Sequence, residues 1–192
     1  MHRVKDRLTL TGGRYVYFRA LRPGERGAVR HLFARLSPRT RYLRFLARTN
    51  VMAESLLRTL TDVDDVWRLA LVAELDDCDS GDIVGLGNVA CCDDDRSEVG
   101  LVVADAWHRR GIGAALAARL LRAAEARGHD RFVIHEYCDN PALRPLLRRV
   151  GEIVSIDTHA GASEIVFTRR KSALEQAYER ILATKGGLLL GG

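Results

Sequence analysis

The feature of this sequence that most constrains its fold is a glycine-bearing segment from Arg109 to Ala114, together with its two flanks. The residues before it, from Glu98 to Val103, are rich in Val and typical of a strand. The residues after it, from Ala115 to Arg127, are Ala, Leu, Arg and Glu, which favour a helix. A strand, a turn and a helix in this order leave unpaired main-chain N–H groups at the positive end of the helix. Such a site binds phosphate or diphosphate, and glycine lets the ligand approach closely because it has no Cβ.

Size and composition predict one domain with a single well-buried core. The chain has 192 residues, of which 47% are hydrophobic and 29% are charged. Its formal net charge of +5 favours acidic partners, among them a phosphorylated cofactor. Nucleic acid is the weaker expectation, because the arginines are scattered among apolar residues instead of being clustered in one arm.

The sequence predicts neither a metal site nor a membrane-spanning segment. The four cysteines lack the paired spacing of zinc ligands, and we expect them to be small buried side chains; they are Cys78, Cys91, Cys92 and Cys138. Charged residues interrupt the N-terminal region, and no run of about eighteen apolar residues occurs. We therefore expect a cytoplasmic protein.

The order of predicted elements indicates an α+β fold with a mixed, mostly antiparallel sheet flanked by helices. The predicted strands lie at 15–18, 67–75, 83–92, 98–103, 131–137, 152–157 and 164–169. The predicted helices lie at 24–36, after the capping residue Ser37, at 53–60, at 115–127 and from Asn140 to Arg149. The second, third and fourth strands suit an antiparallel meander. The strand at 131–137 follows a crossover helix and is therefore predicted to be parallel to its predecessor.

The chain divides into four predicted parts. We expect a loose leader at 1–13, the domain at 14–170, an amphipathic helix at 171–185 and a mobile tail at 186–192. The helix at 171–185 has an apolar face that includes Leu174. We expect that face to pack on the domain or to join two copies of the chain in a homodimer.

The motif and the order of elements together resemble the GNAT family of N-acetyltransferases. The cofactor motif of that family is Gln/Arg-x-x-Gly-x-Gly/Ala, and the segment from His108 to Gly113 occupies it here, with His in place of Gln or Arg. A short glycine pattern alone is a weak signal, but this resemblance extends over residues 14–170. The segment from Leu36 to Phe45 is similar to bacterial protein-lysine acetyltransferases of the Pat type, in which it helps to wall the acceptor site.

The GNAT resemblance implies acetyl-coenzyme A (acetyl-CoA) as the acetyl donor, without a metal. Its diphosphate would be held at the helix N-terminus by the main-chain amides of Arg109, Arg110, Gly111, Ile112, Gly113 and Ala114. Its pantetheine arm would pair with the strand main chain at Leu101, Val102 and Val103, as an added strand does at a sheet edge. The next strand would diverge to leave room for that arm. Asn140 would hydrogen-bond the pantetheine, cap the helix that follows it, or do both.

The resemblance to Pat-type enzymes implies Glu98 as the catalytic base. An amine acceptor such as lysine has a pKa near 10.4 and must lose a proton before it attacks a thioester. Glu98, Gly100 and Val102 would share one face of a strand, and we expect Gly100 to leave space for the acceptor beside the carboxylate. The N–H of Leu101 or Val102 would polarise the thioester oxygen. Alternatives that stay open are His135 and Glu136 as bases and Tyr137 as the acid for the leaving thiolate.

These expectations predict direct acetyl transfer to a primary amine in a ternary complex. The resemblance favours a protein lysine as the acceptor. A small amine is the alternative acceptor, and a protein that binds acetyl-CoA without catalysis is an alternative of another class. Several Pat-type enzymes carry a regulatory domain for which this chain has no room, so we expect control of that kind to be absent or supplied by another protein.

Overall fold

A single eight-stranded sheet forms the centre of the fold. The computed structural model describes residues 6–76, 82–93, 95–137 and 140–177, and the statements below concern those residues. The strands are β1 (Arg7–Thr9), β2 (Tyr15–Ala20), β3 (Arg68–Leu75), β4 (Ile83–Asp93), β5 (Arg96–Val103), β6 (Phe132–Glu136), β7 (Gly151–His159) and β8 (Ala162–Arg169). The helices are α1 (Arg26–Ala34), α2 (Pro38–Phe45), α3 (Glu54–Thr61), α4 (Ile112–Glu125) and α5 (Leu143–Val150). A 3-10 turn at Asp105–Trp107 precedes α4, and residues 173–177 are helical.

The sheet topology agrees with the order that the sequence predicts. The strands run in the order β1-β2-β3-β4-β5-β6-β8-β7. β5 and β6 are parallel, and the other neighbouring strands are antiparallel. The predicted meander is formed by β3, β4 and β5, and α4 is the crossover that makes β6 parallel to β5. The α+β fold with a mixed, mostly antiparallel sheet is therefore confirmed.

Different helices cover the two faces of the sheet, and the pleat of β5 divides its side chains between them. On one face, Val102 packs in a core with Val29 of α1 and Leu57 of α3. On the other face, Val99 and Val103 pack in cores that include the apolar side of α4. Because both of its faces are covered, β5 is held firmly in place.

Helix α2 begins where the sequence predicts, at a cap formed by Ser37. The Ser37 side chain accepts a hydrogen bond from the main-chain N–H of Thr40 at 3.2 Å. Pro38 occupies the first helical position, where the missing N–H would have had no helical partner. The helix ends at Leu46, which adopts a left-handed conformation with φ 53°.

Part of the expected loose leader is an ordered strand. β1 pairs antiparallel with β2, and Leu8 lies opposite Val16. Gly12 and Gly13, with φ 91° and 80°, form the turn between the two strands. Leu10, next to the turn, is buried. The short apolar alternation of Leu8 and Leu10 is therefore part of the core. The expectation of a loose leader is therefore wrong for residues 7–9.

Two further expectations need correction. Cys92 is exposed and Cys91 is half-buried, whereas we expected buried cysteines; Cys78 and Cys138 lie outside the described residues. In the C-terminal helix Leu174 is 81% exposed, so it does not pack on the described part of the domain, and the alternative of a homodimer contact stays a prediction. The remainder of the predicted helix and the tail lie outside the described residues. In the described part of the chain, no helix has the length and apolar character needed to cross a membrane.

Candidate active site

β5 and β6 separate soon after they pair, which leaves an opening in the sheet. Their parallel pairing is confined to Ser97 opposite Phe132 and Glu98 opposite Val133. Beyond these positions β6 pairs only with β8 on its other side. A cavity of about 420 Å³ lies at the opening and is lined by both strands and by α2, α4 and α5. This divergence is the one that the family resemblance implies.

The edge of β5 that faces the opening carries main-chain groups of alternate residues. Ala104 donates its N–H to the carbonyl of Val84 in the strand on one side, at 2.8 Å. Ser97 donates its N–H in the opposite direction, to the carbonyl of Arg131 at 2.9 Å. In an antiparallel ladder these directions alternate, so Val102 pairs with β4 and Leu101 faces the opening. Of the two N–H groups expected to polarise the thioester oxygen, those of Leu101 and Val102, only that of Leu101 faces the cavity.

His108 hydrogen-bonds to a main-chain carbonyl at the end of the same edge. Its Nε2 lies 2.7 Å from the carbonyl oxygen of Val103. A carbonyl can only accept, so Nε2 carries the hydrogen. This bond fixes the start of the glycine turn to the end of β5, a contact that accounts for His at a position where the family motif has Gln or Arg.

The glycine turn presents main-chain N–H groups that no described side chain caps. Gly111 is the N-cap of α4 with φ 83°, a conformation that favours glycine, and Arg109 is also left-handed with φ 55°. The N-cap makes no side-chain hydrogen bond, so with respect to the described side chains the N–H groups of Ile112, Gly113 and Ala114 are available. The helix is anchored by Ile112, which is buried. These residues fit an anionic group such as the diphosphate of acetyl-CoA.

Positive charge surrounds this turn. Arg109 and Arg110 are both exposed, so their charges face solvent beside the available amides. The guanidinium of Arg110 lies over the Trp107 ring, 4.9 Å from its centroid. The helix dipole and the two arginines therefore act together to favour an anion.

Glu98 lines the cavity, but the space beside it is filled by an arginine. Glu98 is exposed, and it shares a strand face with Gly100. A Cβ placed on Gly100 would lie 1.8 Å from Nη2 and 2.2 Å from Cζ of Arg44. The expectation that Gly100 leaves open space for the acceptor is therefore wrong. The missing side chain instead admits the guanidinium of Arg44, which reaches across from α2.

Arg44 is a cation whose surroundings favour its neutral form, because they exclude water from the guanidinium. Its side chain is half-buried, and its Nε is enclosed without a hydrogen-bond partner. Its guanidinium lies over the ring of Phe45, 4.9 Å from the centroid. Burial lowers the pKa of Arg44 to about 10, although the nearby charge of Glu98 acts in the opposite direction. Arg44 is therefore still protonated at neutral pH.

Asp105 joins the start of α2 to the turn that follows β5. Its carboxylate accepts hydrogen bonds from the main-chain N–H of Ser37 at 2.8 Å, from the Ser37 hydroxyl at 2.6 Å and from the Thr40 hydroxyl at 2.7 Å. Burial acts to raise the pKa of Asp105, but these hydrogen bonds outweigh it and leave that pKa below its usual value. The helix that carries Arg44 is thus fixed to the segment that leads into the glycine turn.

Asn140 lies at the cavity wall but does not cap α5. The helix begins at Leu143 with Ala142 as its N-cap. The Asn140 side chain accepts a hydrogen bond from the Ala142 N–H at 3.1 Å and closes a turn before the helix. The capping role considered for Asn140 is therefore wrong.

The titratable residues at the end of β6 differ in their contacts and exposure. Glu136 accepts a hydrogen bond from the Asn140 N–H at 3.2 Å and lies 3.5 Å from the Arg144 guanidinium. His135 Nδ1 is 4.0 Å from a carboxylate oxygen of Glu164. Tyr137 is 53% exposed at the mouth of the cavity. Among the described residues, no group of three or more His, Cys, Asp or Glu side chains could hold a metal ion.

Sequence comparison identifies the class of this protein. The chain matches the acetyltransferase (GNAT) family over residues 40–151. It is also 31% identical over 144 residues to an acetyltransferase of Pseudomonas aeruginosa, a match that covers 74% of this chain and 77% of that protein. The protein belongs to the GNAT family of N-acetyltransferases.

Solved structures share the fold at low sequence identity. The GNAT domain of S. lividans PAT has a TM-score of 0.75 and 18% identity, over 88% of this chain and 99% of that domain. The YncA protein of Salmonella typhimurium, solved with its cofactor acetyl-CoA, has a TM-score of 0.61 and 15% identity, over 82% and 96%. A cAMP-binding acyltransferase from Mycobacterium smegmatis has a TM-score of 0.57 and 21% identity, over 87% of this chain and 48% of that one.

Proposed function

We propose that this protein transfers the acetyl group of acetyl-CoA to a protein lysine, with Glu98 as the general base. The observation that carries the proposal is the position of Glu98 at the opening between β5 and β6. The N–H of Leu101 faces the same opening and in this proposal donates to the thioester oxygen. The Pat-like segment from Leu36 to Phe45 supports a protein lysine as the acceptor, because it supplies the helix beside Glu98.

The donor would lie along the edge of β5. The N–H groups of Ile112, Gly113 and Ala114, with the charges of Arg109 and Arg110, would hold the diphosphate. The main-chain groups of Leu101 would pair with the pantetheine arm, in the manner of an added strand. The carbonyl of Val103 already accepts from His108, and the main chain of Val102 pairs with β4, so neither is a free edge group. Asn140 would contact the arm from the opposite wall.

The residues on β5 supply a base and a hydrogen-bond donor. Acetyl-CoA, when bound, supplies the acetyl thioester. Glu98 accepts a proton from the acceptor ammonium, directly or through a water. The neutral amine nitrogen then bonds to the acetyl carbon while the carbon–sulfur bond breaks, and the N–H of Leu101 donates to the oxygen that gains charge. The nitrogen gives its second proton to solvent, and the departing thiolate takes a proton from solvent, or from Tyr137, which then regains its proton from solvent.

The test measures thiol release from acetyl-CoA with two kinds of acceptor, lysine-containing proteins or peptides in one set and small amines in the other. Mass spectrometry then identifies the products. The proposal expects thiol release that depends on a lysine acceptor and a product that gains one acetyl group. Acetylation of small amines alone would overturn the assignment of the acceptor. Cofactor binding without turnover of any acceptor would overturn catalysis and indicate a binding protein.

A further inference from the structure

The reaction proposed above gives no role to Arg44, a charged group at the site. The Arg44 guanidinium lines the cavity and lies against the main chain of Gly100, on the strand face that it shares with Glu98. The geometry places it where an acceptor must approach. A cation at this position repels an acceptor ammonium, in opposition to the attraction by Glu98, and a negative charge on the acceptor would offset that repulsion.

The hydrogen-bonding capacity of Arg44 is not used by the described residues. Its Nε is enclosed and has no hydrogen-bond partner, and no described carboxylate forms an ion pair with the guanidinium. Arg41, one turn earlier on α2, is 8% exposed, and its Nε is also without a partner. Most buried guanidinium groups are paired, because an unpaired charge loses its hydration without compensation. Of these two arginines, only Arg44 lines the cavity, and there the charge of Glu98 is near it without forming an ion pair.

The charges at the site indicate which group balances Arg44. Glu98 is matched by the ammonium of the acceptor, and Arg44 is then matched by one negative charge. A carboxylate carries one charge and fits the planar fork of a guanidinium through two parallel hydrogen bonds. A dianionic phosphate would instead leave the site with net negative charge beside Glu98.

We propose that Arg44 binds a carboxylate of the acceptor, so that the enzyme prefers amines with a carboxylate close to the reacting nitrogen. The proposal rests on the acetyltransferase function proposed above. The carboxylate has two sources, the side chain of an acidic residue next to a target lysine and the carboxylate of a free amino acid. In either case Arg44 is a specificity residue on the acceptor side of the site.

The test compares matched acceptors that differ only in this group. One pair is a lysine peptide with a neighbouring Glu and the same peptide with Gln, and the other is lysine and lysine amide. We expect wild type to favour the carboxylate member of at least one pair by roughly 10- to 100-fold in kcat/KM. We expect Arg44→Met to bring that ratio close to one, chiefly by lowering kcat/KM for the acceptor that carries the carboxylate. Arg44→Lys should retain part of the preference. The pair that shows the preference identifies the source of the carboxylate.

A second variant tests whether the position of the Arg44 charge matters, and not only its presence. Gly100→Ala keeps the arginine but displaces its guanidinium, because the new Cβ would overlap with Nη2, the mobile end of the side chain. We expect it to lose the carboxylate preference while acetyl-CoA binding, measured by calorimetry, is retained in both variants. Equal rates of wild type on both members of both pairs would overturn the proposal, as would equal losses on both members in Arg44→Met. If wild type acetylates no acceptor, the proposed function fails and the inference fails with it.

Discussion

At the scale of single residues, Glu98 and Arg44 bring opposite charges to the same end of β5. Glu98 is exposed at the opening, whereas Arg44 reaches it from α2 and lies over Gly100. The absence of a side chain at Gly100 is what permits this arrangement, since a Cβ would overlap with the guanidinium. A glycine that the sequence associates with acceptor space thus creates space for a charged side chain of the protein itself.

A backbone prediction concerns the two ends of α4. Gly111 and Gly128 both have positive φ, 83° and 91°, and no heavy atom lies closer than 4.0 Å to a Cβ at either one. Replacing each by Ala should lower the free energy of unfolding by about 1–2 kcal/mol, because L residues are strained in this conformation. Only Gly111→Ala should also weaken acetyl-CoA binding, since it disturbs the turn that presents the amides. Calorimetry and urea unfolding of both variants check this, and equal loss of affinity in Gly128→Ala would contradict it.

Some site residues were predictable from local sequence and others were not. The turn at Gly111 follows from a strand, two glycines and a helix that are contiguous in the chain. The contact of Arg44 with Gly100 joins residues that are far apart, and it depends on how α2 crosses β5. The pattern of arginines on that helix is also typical of a solvated face. Nothing in the sequence alone distinguishes the arginine that enters the site.

At the scale of elements, Asp105 ties α2 to the segment between β5 and α4. Its carboxylate accepts three hydrogen bonds from Ser37 and Thr40 at the start of the helix. This network sets the distance between the helix that carries Arg44 and the turn that carries the amides. A change at Asp105 should therefore affect both walls of the site.

Replacement of Asp105 by Ala should destabilise the protein by about 1–2 kcal/mol, after allowance for its partial exposure. The loss arises because the Ser37 N–H and two hydroxyl groups lose a charged acceptor. Urea unfolding measures the change, and Asp130→Ala is the matched control, since Asp130 is exposed and distant from the network. A surface change of that kind is expected to stay within about 0.5 kcal/mol. Equal stability of the Asp105 variant and wild type would contradict the proposed tie.

Two carboxyl groups that accept hydrogen bonds, one of them in this network, predict a pH dependence of stability. The pKa of Asp105 and that of Glu25 both lie below their usual values; for Glu25 burial opposes the shift, but hydrogen bonds from Arg19 and Arg22 outweigh it. Carboxyls with lowered folded pKa add stability above their unfolded pKa, about 3.9–4.3, and lose it as the pH falls through the folded value. The free energy of unfolding should therefore fall between about pH 5 and pH 3. The fall should be smaller in Asp105→Asn, and an unchanged pH profile in that variant would contradict the contribution of Asp105.

Most elements follow from their own sequence, and the exceptions have identifiable causes. Ser37 and Pro38 predict the start of α2 because capping is local. β1 was missed because three residues give no periodic signal, and it forms only when β2 offers a partner edge. Helix α5 starts later than expected because the Asn140 side chain bonds within a turn of its own.

At the scale of the whole molecule, the sheet is continuous except for the opening where β5 and β6 separate. Helices cover both faces of β5, and β6 leaves it after two paired positions. A ligand that fills the opening would join the two parts of the sheet, β1–β5 and β6–β8, which otherwise meet at that short pairing. The order of elements predicted this topology, because a crossover helix fixes a parallel pair. The topology does not encode the acceptor; the proposals for it rest on the Pat-like segment and on the charges at the opening.

This arrangement predicts that acetyl-CoA stabilises the folded protein. At a concentration 100-fold above Kd, binding adds about 2.7 kcal/mol, which raises Tm by roughly 5–10 °C for a chain of this size. Acetyl-pantetheine, which lacks the diphosphate, should give a much smaller shift at the same concentration because it does not reach the α4 amides. A thermal melt with each compound checks this. Equal shifts for the two would contradict a diphosphate site at the glycine turn.

The most direct test of the central claim compares wild type with Glu98→Gln in acetyl transfer at saturating acetyl-CoA. Gln keeps the size of the side chain but cannot accept the proton, so kcat should fall by roughly 10²- to 10⁴-fold. The Kd for acetyl-CoA, measured by calorimetry on the same preparations, should stay within about twofold, because in the proposed site the β5 edge and the α4 amides hold the donor. A variant that keeps the wild-type kcat would contradict the assignment of Glu98 as the base.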